Sequence, residues 1–180
     1  MKPTIRATMI ALAAGLLAAG CASLDTAQEK DAVVKETTSA RQAWTKADPS
    51  IEGFVRKGYG YAFFPDVGTG GFIIAGAHGN GVVFEQGQHV GYAELTGGSI
   101  GLTVGGQKYS ELIVFEDKAA MDRFKKSEMQ FGANANAVIA KEGAAASTSF
   151  NDGVAIFVRP LAGAMAEASL GGQHIKYIPK

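Results

Sequence analysis

Cys21 is the residue whose type and position point most directly to covalent chemistry. It is the only cysteine among the 180 residues, and it follows the small residues Ala18-Ala-Gly20. Small residues before a cysteine let a lipoprotein signal peptidase reach the backbone, and the thiol then accepts a diacylglycerol. The sequence therefore predicts cleavage before Cys21 and lipidation of its sulfur. The alternative is an ordinary secretory signal in which this cysteine has no role.

The first twenty residues have the composition of an export signal. Lys2 and Arg6 provide positive charge, and the apolar stretch 9–18 is too short to span a bilayer. We expect residues 1–20 to be removed. Residues 21–24 would then form a short lipidated tether, about 10 Å long when extended.

The predicted anchor bears on the compartment as well as on the attachment. Acyl chains such as palmitate contribute about 0.8 kcal/mol for each buried methylene, so several chains hold a protein essentially permanently. No apolar run after residue 21 reaches membrane-spanning length. By resemblance to Gram-negative lipoproteins, Ala22 in place of Asp favours the outer membrane and its periplasmic face. Exposure at the cell surface is the other possibility.

The three histidines do not assemble into a catalytic or metal site in the sequence. His78, His89 and His174 are far apart, and no HExxH pattern occurs. The glycines of residues 76–81 reverse the spacing of a dinucleotide loop and precede a predicted strand instead of a helix. Walker and Gly-x-Ser-x-Gly sequences are absent. We predict no catalytic residue, metal or cofactor, and expect a binding protein instead of an enzyme.

The charge balance argues against nucleic acid as a partner. The chain has 17 basic and 17 acidic residues, and removal of Lys2 and Arg6 with the signal leaves 15 against 17. A phosphate backbone is bound by a clearly basic surface. The 160 residues that remain of the 180 are enough for one domain with a core, which we place at residues 25–180.

Four residues near the predicted anchor could contact lipid. Trp44, Phe54, Arg56 and Lys57 combine aromatic rings with cations, as at a bilayer interface. In the other interpretation, Trp44 and Phe54 fix helices to a sheet while Arg56 and Lys57 end a helix. For any single one of these residues, packing is the commoner role.

Two helices and a series of short strands must position these residues. Residues 25–47 lack Gly and Pro and carry a thin apolar stripe, which predicts a helix. Asp48 and Pro49 begin a second helix that ends at Gly58. The predicted strands are residues 59–64, 71–75, 81–85, 89–95, 100–104 and 109–115 and, after a helix at 116–131, residues 135–140, 145–150, 154–158, 164–170 and 174–178.

Glycine separates these strands. Of 24 glycines, sixteen lie between Gly53 and Gly106, between short apolar runs. The rhythm indicates an antiparallel meander. The predicted fold is α+β, with N-terminal helices packed on a glycine-rich antiparallel meander that forms a small barrel or strongly curved sheet, and one inserted helix.

A series of short motifs occurs in a characteristic order. They are Phe64-Pro-Asp-Val67, Gly71-Phe72, residues 76–82, Gly98-x-x-Gly101, Gly105-Gly-Gln107, residues 131–138, Leu161-Ala-Gly163 and residues 168–172. Their order and spacing resemble the SYLF domain family over about residues 30–178.

The resemblance implies a membrane role. Eukaryotic SYLF proteins bind phosphoinositide-rich membranes, partly through an N-terminal amphipathic helix, and some yeast members bind and bundle actin. Bacterial members are commonly small exported lipoproteins. The helix at 25–47 would correspond to the lipid-contacting segment, but its thin apolar face and mixed charge depart from a basic membrane helix. Asn134 and Asn136 stand where relatives often carry acidic or hydroxyl residues.

We therefore expect a phospholipid-binding module at the outer membrane. The first alternative is a structural lipoprotein that recognises an envelope protein or a glycan, facing a host if it reaches the surface; a hydrolase comes last. Lipid binding predicts an apolar groove with cationic rims near Phe54. Partner binding predicts an exposed aromatic patch, such as Tyr59 and Tyr61. An enzyme predicts a pocket in which His78 or His89 faces a carboxylate.

Overall fold

The computed structural model describes residues 24–71, 74–100, 107–127, 130–131, 137–162 and 172–180. The helices are α1 (Ala27–Ala47), α2 (Ser50–Lys57) and α3 (Lys118–Lys125), with a 3-10 helix at Ala145–Ser147. The strands are β1 (Gly60–Gly71), β2 (Ile74–Glu85), β3 (Gln88–Ile100), β4 (Gln107–Phe115), β5 (Gln130–Phe131), β6 (Ala137–Ile139), β7 (Val154–Ala162) and β8 (Gly172–Pro179). The predicted signal, Cys21, Asn134, Asn136 and the predicted strand at 164–170 lie outside the described residues.

α1 begins at a capping box. Thr26 Oγ1 accepts a hydrogen bond from the Glu29 backbone N–H, and the Glu29 carboxylate accepts one from the Thr26 backbone N–H. The buried side chains Val33, Thr37 and Trp44 lie on one face. The predicted first helix and its thin apolar stripe are therefore confirmed. No helix in the described ranges is long and apolar enough to cross a membrane.

Asp48 joins the start of α2 to the 3-10 helix. Its carboxylate accepts hydrogen bonds from Ser50 and from the backbone N–H groups of Gly143 and Ala145, at 3.3 and 3.2 Å. Burial opposes ionisation, but these hydrogen bonds outweigh it and lower the pKa of Asp48. The strand predicted at 145–150 is wrong, because the Ala145 N–H donates to Asp48 and the chain forms a helical turn there.

The eight described strands form one mixed sheet in the order β5-β8-β3-β2-β1-β4-β7-β6. The pairs are antiparallel except β6 with β7, which are parallel. The predicted α+β class is confirmed, and β1, β2 and β3 form the predicted meander. The antiparallel prediction is wrong at β6, because the chain between β6 and β7 crosses over through the 3-10 helix instead of turning back in a hairpin.

The described strands do not close into a barrel, because β5 and β6 are open edges. The sheet is nevertheless strongly curved. In a flat sheet β4 and β8 would lie roughly 19 Å apart, whereas Gln173 of β8 and Glu111 of β4 form a hydrogen bond of 3.0 Å. The chain from Phe131 to Ala137 also joins the two edge strands. It reaches at most about 21 Å, against roughly 34 Å between the edges of a flat sheet.

The strands are longer than the sequence predicts. β1 continues past Pro65 with a shift in register, β2 continues through residues 76–80, and β3 continues through residues 96–99. The predicted end of the first strand at residue 64 and the predicted breaks at residues 76–80 and 96–99 are therefore wrong. Glycine is needed in β2 because the backbone of β1 lies close: a Cβ on Gly81 would lie 2.8 Å from the Phe63 carbonyl oxygen.

α3 is shorter than predicted. Asp117 begins it by accepting a hydrogen bond from the Ala120 N–H at 2.8 Å, as the sequence indicates. The helix ends at Lys125, and Ser127 takes a positive φ of 57°. The prediction that it continues to residue 131 is therefore wrong, and the chain forms β5 instead.

Each face of the sheet carries an apolar core. Concave-face residues, packed with α3, include Phe64, Leu95, Tyr109, Ile113, Phe115, Met121, Phe124, Val158 and Ile175. Convex-face residues, under α1, α2 and the 3-10 helix, include Trp44, Ile51, Phe54, Tyr61, Phe63, Leu112 and Phe157. A smaller cluster at the start of α1 contains Leu24, Val33, Val82 and Tyr92. The two helices therefore bring the predicted site residues to the convex face.

Candidate functional site

The two predicted aromatic site residues belong to the convex-face core. Trp44 is 2% exposed, and its indole N–H donates to Ser110 Oγ at 2.7 Å. Phe54 packs between Phe150 and Phe157, with ring centroids 4.8 and 5.2 Å away. Both side chains therefore fix α1 and α2 to the sheet, as in the second interpretation of the sequence.

The two predicted basic residues lie at the surface. Arg56 and Lys57 are exposed in the last turn of α2. The structure therefore does not unite the four residues in one surface. It separates them into a buried aromatic pair and an exposed basic pair at the end of the same helix.

Arg56 lines a groove between the helices and the sheet, which we call the α1–α2 groove. One depression of about 390 Å³ is lined by Arg41, Val55, Arg56, Tyr59, Phe84 and Gln86. A second, of about 540 Å³, is lined by Thr38, Arg41, Gln42, Thr45, Lys46 and Phe84. Both also contact Glu52, so they meet at Arg41, Glu52 and Phe84. The lipid hypothesis predicts an apolar groove with cationic rims near Phe54. The α1–α2 groove has cations at its rim, but most of the side chains that line it are polar and Phe54 lines neither depression.

Arg41 occupies the middle of the α1–α2 groove. Its Nη1 donates to Tyr61 Oη at 2.7 Å, and its Nη2 donates to Glu52 Oε1 at 2.6 Å. Thr45 Oγ1 donates to the same Glu52 oxygen at 3.1 Å. The Arg41 and Glu52 side chains are each 30% exposed. The guanidinium is therefore held in one orientation while it stays open to solvent.

A row of aromatic rings forms the floor beneath Arg41 and continues along the convex face. Tyr61 stacks on Phe84 at 4.8 Å, Phe84 lies 5.6 Å from His89, and His89 lies 4.8 Å from Tyr92. Arg41 lies over Tyr61 at one end of the row, 5.1 Å from the ring centroid. Burial, and then the charge of Glu52, raise the pKa of Tyr61, although Arg41 opposes this.

Lys30 occupies the other end of the aromatic row, 5.5 Å from the Tyr92 ring centroid. No sequence pattern pointed to Lys30, Arg41, Phe84 or Tyr92 as site residues. Phe84 lies in an apolar run that predicts a strand, but the sequence does not show that its ring lies next to α1, because this contact depends on the fold. Tyr61, expected in an exposed patch, is only 6% exposed.

The histidines have separate surroundings. His89 Nε2 lies 3.0 Å from the Gly91 carbonyl oxygen, and burial, followed by the charge of Lys180, lowers its pKa. His78 lines a different depression together with Asp66. Within the described ranges, no group of three or more His, Cys, Asp or Glu side chains could hold a metal ion.

Leu24 is attached to the body at the start of the described chain. Its backbone N–H donates to Glu94 Oε1 at 3.2 Å, and its side chain is 3% exposed among Val33, Val82 and Tyr92. Leu24 is therefore fixed over β3, beside the Lys30 end of the aromatic row, and the predicted tether would join the body at this point.

Two comparisons with known proteins bear on this fold. Residues 96–177 match the model of the Ysc84 family, described as Las17-binding protein actin regulator. Beta cell expansion factor A of Aeromonas veronii is 30% identical over 126 residues, which cover 69% of this chain and 48% of the relative. The chain thus spans about half the length of that curated relative. The SYLF resemblance is confirmed, and the chain belongs to the Ysc84 (SYLF) family.

Proposed function

We propose that this protein is a lipoprotein of the bacterial envelope, anchored by lipid on Cys21, whose body binds phospholipid headgroups in the α1–α2 groove. The observation that carries the proposal is the Arg41 guanidinium, held over an aromatic floor and still open to solvent. Family membership supports a lipid-binding type of module. An outer-membrane location on the periplasmic side is part of the proposal.

The groove has the charge and shape that a phospholipid headgroup needs. Arg41, Lys46 and Arg56 line it, against the single carboxylate Glu52. Arginine binds a phosphate through two parallel hydrogen bonds, so a headgroup phosphate would compete with Glu52 for Arg41. The start of the apolar acyl chains would then lie on the Phe84 ring.

The attachment of Leu24 supports the same orientation of the body. Leu24 is the third residue after Cys21, so the acylated sulfur would lie within about 10 Å of the Leu24 position. α1 is about 31 Å long and runs from this point to the groove. With α1 lying along the bilayer, the acyl anchor and the groove would reach the same lipid surface.

Flotation of the unlipidated body, residues 22–180, tests the proposal. The body is mixed with neutral phosphatidylcholine vesicles or with vesicles that contain phosphatidylglycerol, at low and high salt. We expect flotation with the anionic vesicles that weakens at high salt, because salt screens exposed charges. The variant Arg56→Glu/Lys57→Glu should lose it.

The matched control is Lys126→Glu/Lys141→Glu, which changes the net charge equally at two exposed residues outside the groove. It should float like the wild type. Equal loss in both variants would mean that only net charge matters. A body that stays at the bottom in every condition would leave the acyl chains as the membrane contact.

The second candidate function is binding of an envelope protein or a glycan. It is favoured by Leu161, which is 49% exposed. Leu161 lines a depression of about 680 Å³ beside α1, together with Ala32, Ala40 and Pro65. This surface would be the first to probe if the body does not bind vesicles.

A further inference from the structure

Glu111 is a fully buried carboxyl on the concave face of β4. Its neighbours in the sheet are Phe64 on β1 and Val158 on β7, and both are fully buried. Across the concave face, its Oε2 accepts a hydrogen bond from Gln173 Nε2 of β8 at 3.0 Å. A charged carboxylate is costly in such surroundings unless a cation or several donors face it.

The polar cluster around Glu111 has too few donors. Gln173 Nε2 also donates to Tyr109 Oη, at 3.3 Å. Glu111 Oε1 and Gln173 Oε1 are buried and accept no hydrogen bond from the residues that the structure describes. A proton on Glu111 would turn one of its oxygens from an acceptor into a donor. That donor is what Gln173 Oε1 lacks.

The surroundings of Glu111 favour its neutral form. Burial raises the pKa of Glu111 to about 7 from an ordinary value of 4.5, and the Gln173 hydrogen bond offsets only part of this. Tyr109 is the titratable side chain that faces it, and burial followed by the charge of Glu111 raises the pKa of Tyr109. Phe64, Val158 and Gln173 bring no charge from β1, β7 and β8.

The contact lies where the curved sheet is held together. Glu111 and Gln173 join β4 to β8, which are separated in the sheet by β1, β2 and β3. The backbone of Gln173 also pairs with Phe131 of the edge strand β5. At the other end of the concave face, α3 packs Phe124 against Tyr177 of β8, with ring centroids 6.2 Å apart. Gln173 and Tyr177 thus hold β8 at opposite ends.

We infer that Glu111 and Gln173 form a proton-dependent latch, which holds β8 across the concave face while Glu111 is protonated and loosens when Glu111 ionises. The closed form binds the proton more tightly than an open or unfolded form does. The stabilisation that Glu111 gives to the closed form is therefore complete below pH 4.5, and it is lost as the pH rises toward 7. The equilibrium constant for closure changes at most about tenfold for each pH unit in this window.

Hydrogen exchange of the full-length protein in non-ionic detergent tests the latch. Protection of β8 is compared with that of the central strand β1 at pH 5 and pH 8, after correction for the intrinsic exchange rate. In the wild type we expect protection of β8 to fall at least about tenfold more than that of β1. In Glu111→Gln the extra fall should vanish, because an amide donates to Gln173 without titrating.

Two results would overturn the inference. One is that the protection of β8 and of β1 changes equally between pH 5 and pH 8 in the wild type. The other is that the extra fall in β8 protection is as large in Glu111→Gln as in the wild type. If Glu111→Gln does not fold, Gln173→Met serves instead. It removes the β8 half of the latch, so β8 protection should already be low at pH 5 and its extra fall between pH 5 and pH 8 should shrink. An unchanged fall in Gln173→Met would contradict the inference.

Discussion

Trp44 and Ser110 form a buried hydrogen bond between α1 and β4. Trp44→Phe keeps an aromatic ring beside Phe63 but leaves the Ser110 hydroxyl without its donor. Because an unsatisfied buried polar group costs about 1–3 kcal/mol, we expect a loss of that size in the free energy of unfolding. Urea unfolding of the body measures it.

The double mutant separates the hydrogen bond from the packing of the ring. Ser110→Ala alone leaves the Trp44 indole N–H unpaired, whereas Trp44→Phe/Ser110→Ala removes both partners. We expect the double mutant to lose about 1 kcal/mol less than the sum of the two single losses. Strict additivity would show that the contact between Trp44 and Ser110 contributes no coupling.

β1 and β2 lie so close that Gly81 has no room for a side chain. A Cβ at this position would lie 2.7 Å from Phe64 Cδ1 as well as 2.8 Å from the Phe63 carbonyl oxygen. We expect Gly81→Ala to lower the free energy of unfolding by about 1–3 kcal/mol, as overpacking does. Gly76 in the same strand has nothing within 4 Å of its added Cβ, so Gly76→Ala is the control.

Gly76→Ala should leave stability unchanged or raise it by about 0.5 kcal/mol, since alanine loses less backbone entropy on folding. Thermal and urea unfolding of both variants compare the two positions. If Gly76→Ala destabilised the protein as much as Gly81→Ala, the glycines of β2 would be required for their backbone conformation and not for the close approach of β1.

An element could be predicted from the sequence when the residues that determine it lie close together in the chain. The helices were predictable because their caps and apolar faces lie within a few residues of one another, as at Asp48 and Asp117. The continuity of β2 was not, because Gly81 responds to the backbone of another strand. The site residues divide in the same way: Arg56 lies two residues after Phe54 and could be identified from the sequence, whereas Arg41 reaches Tyr61 only through the packing of α1 on β1.

The described part of the molecule has two unlike faces, and this would determine how the body lies on a membrane if it binds one as proposed. Glu111 and its partners belong to the concave side together with α3. α1, the α1–α2 groove and the attachment of Leu24 belong to the convex side. If the proposed anchor and groove act on one bilayer, the convex side faces lipid and α3 points away from it.

Fluorescent labels on the lipidated protein in vesicles test this orientation. With the Cys21 thiol acylated, Lys35→Cys in α1 and Lys126→Cys after α3 each provide one free thiol at an exposed position. Spin-labelled headgroups quench by close approach, so we expect them to quench the label at residue 35 several-fold more than the label at residue 126. Equal quenching would mean that the acyl tether leaves the body free to tumble. Stronger quenching at residue 126 would place α3 against the bilayer and leave the α1–α2 groove without access to lipid.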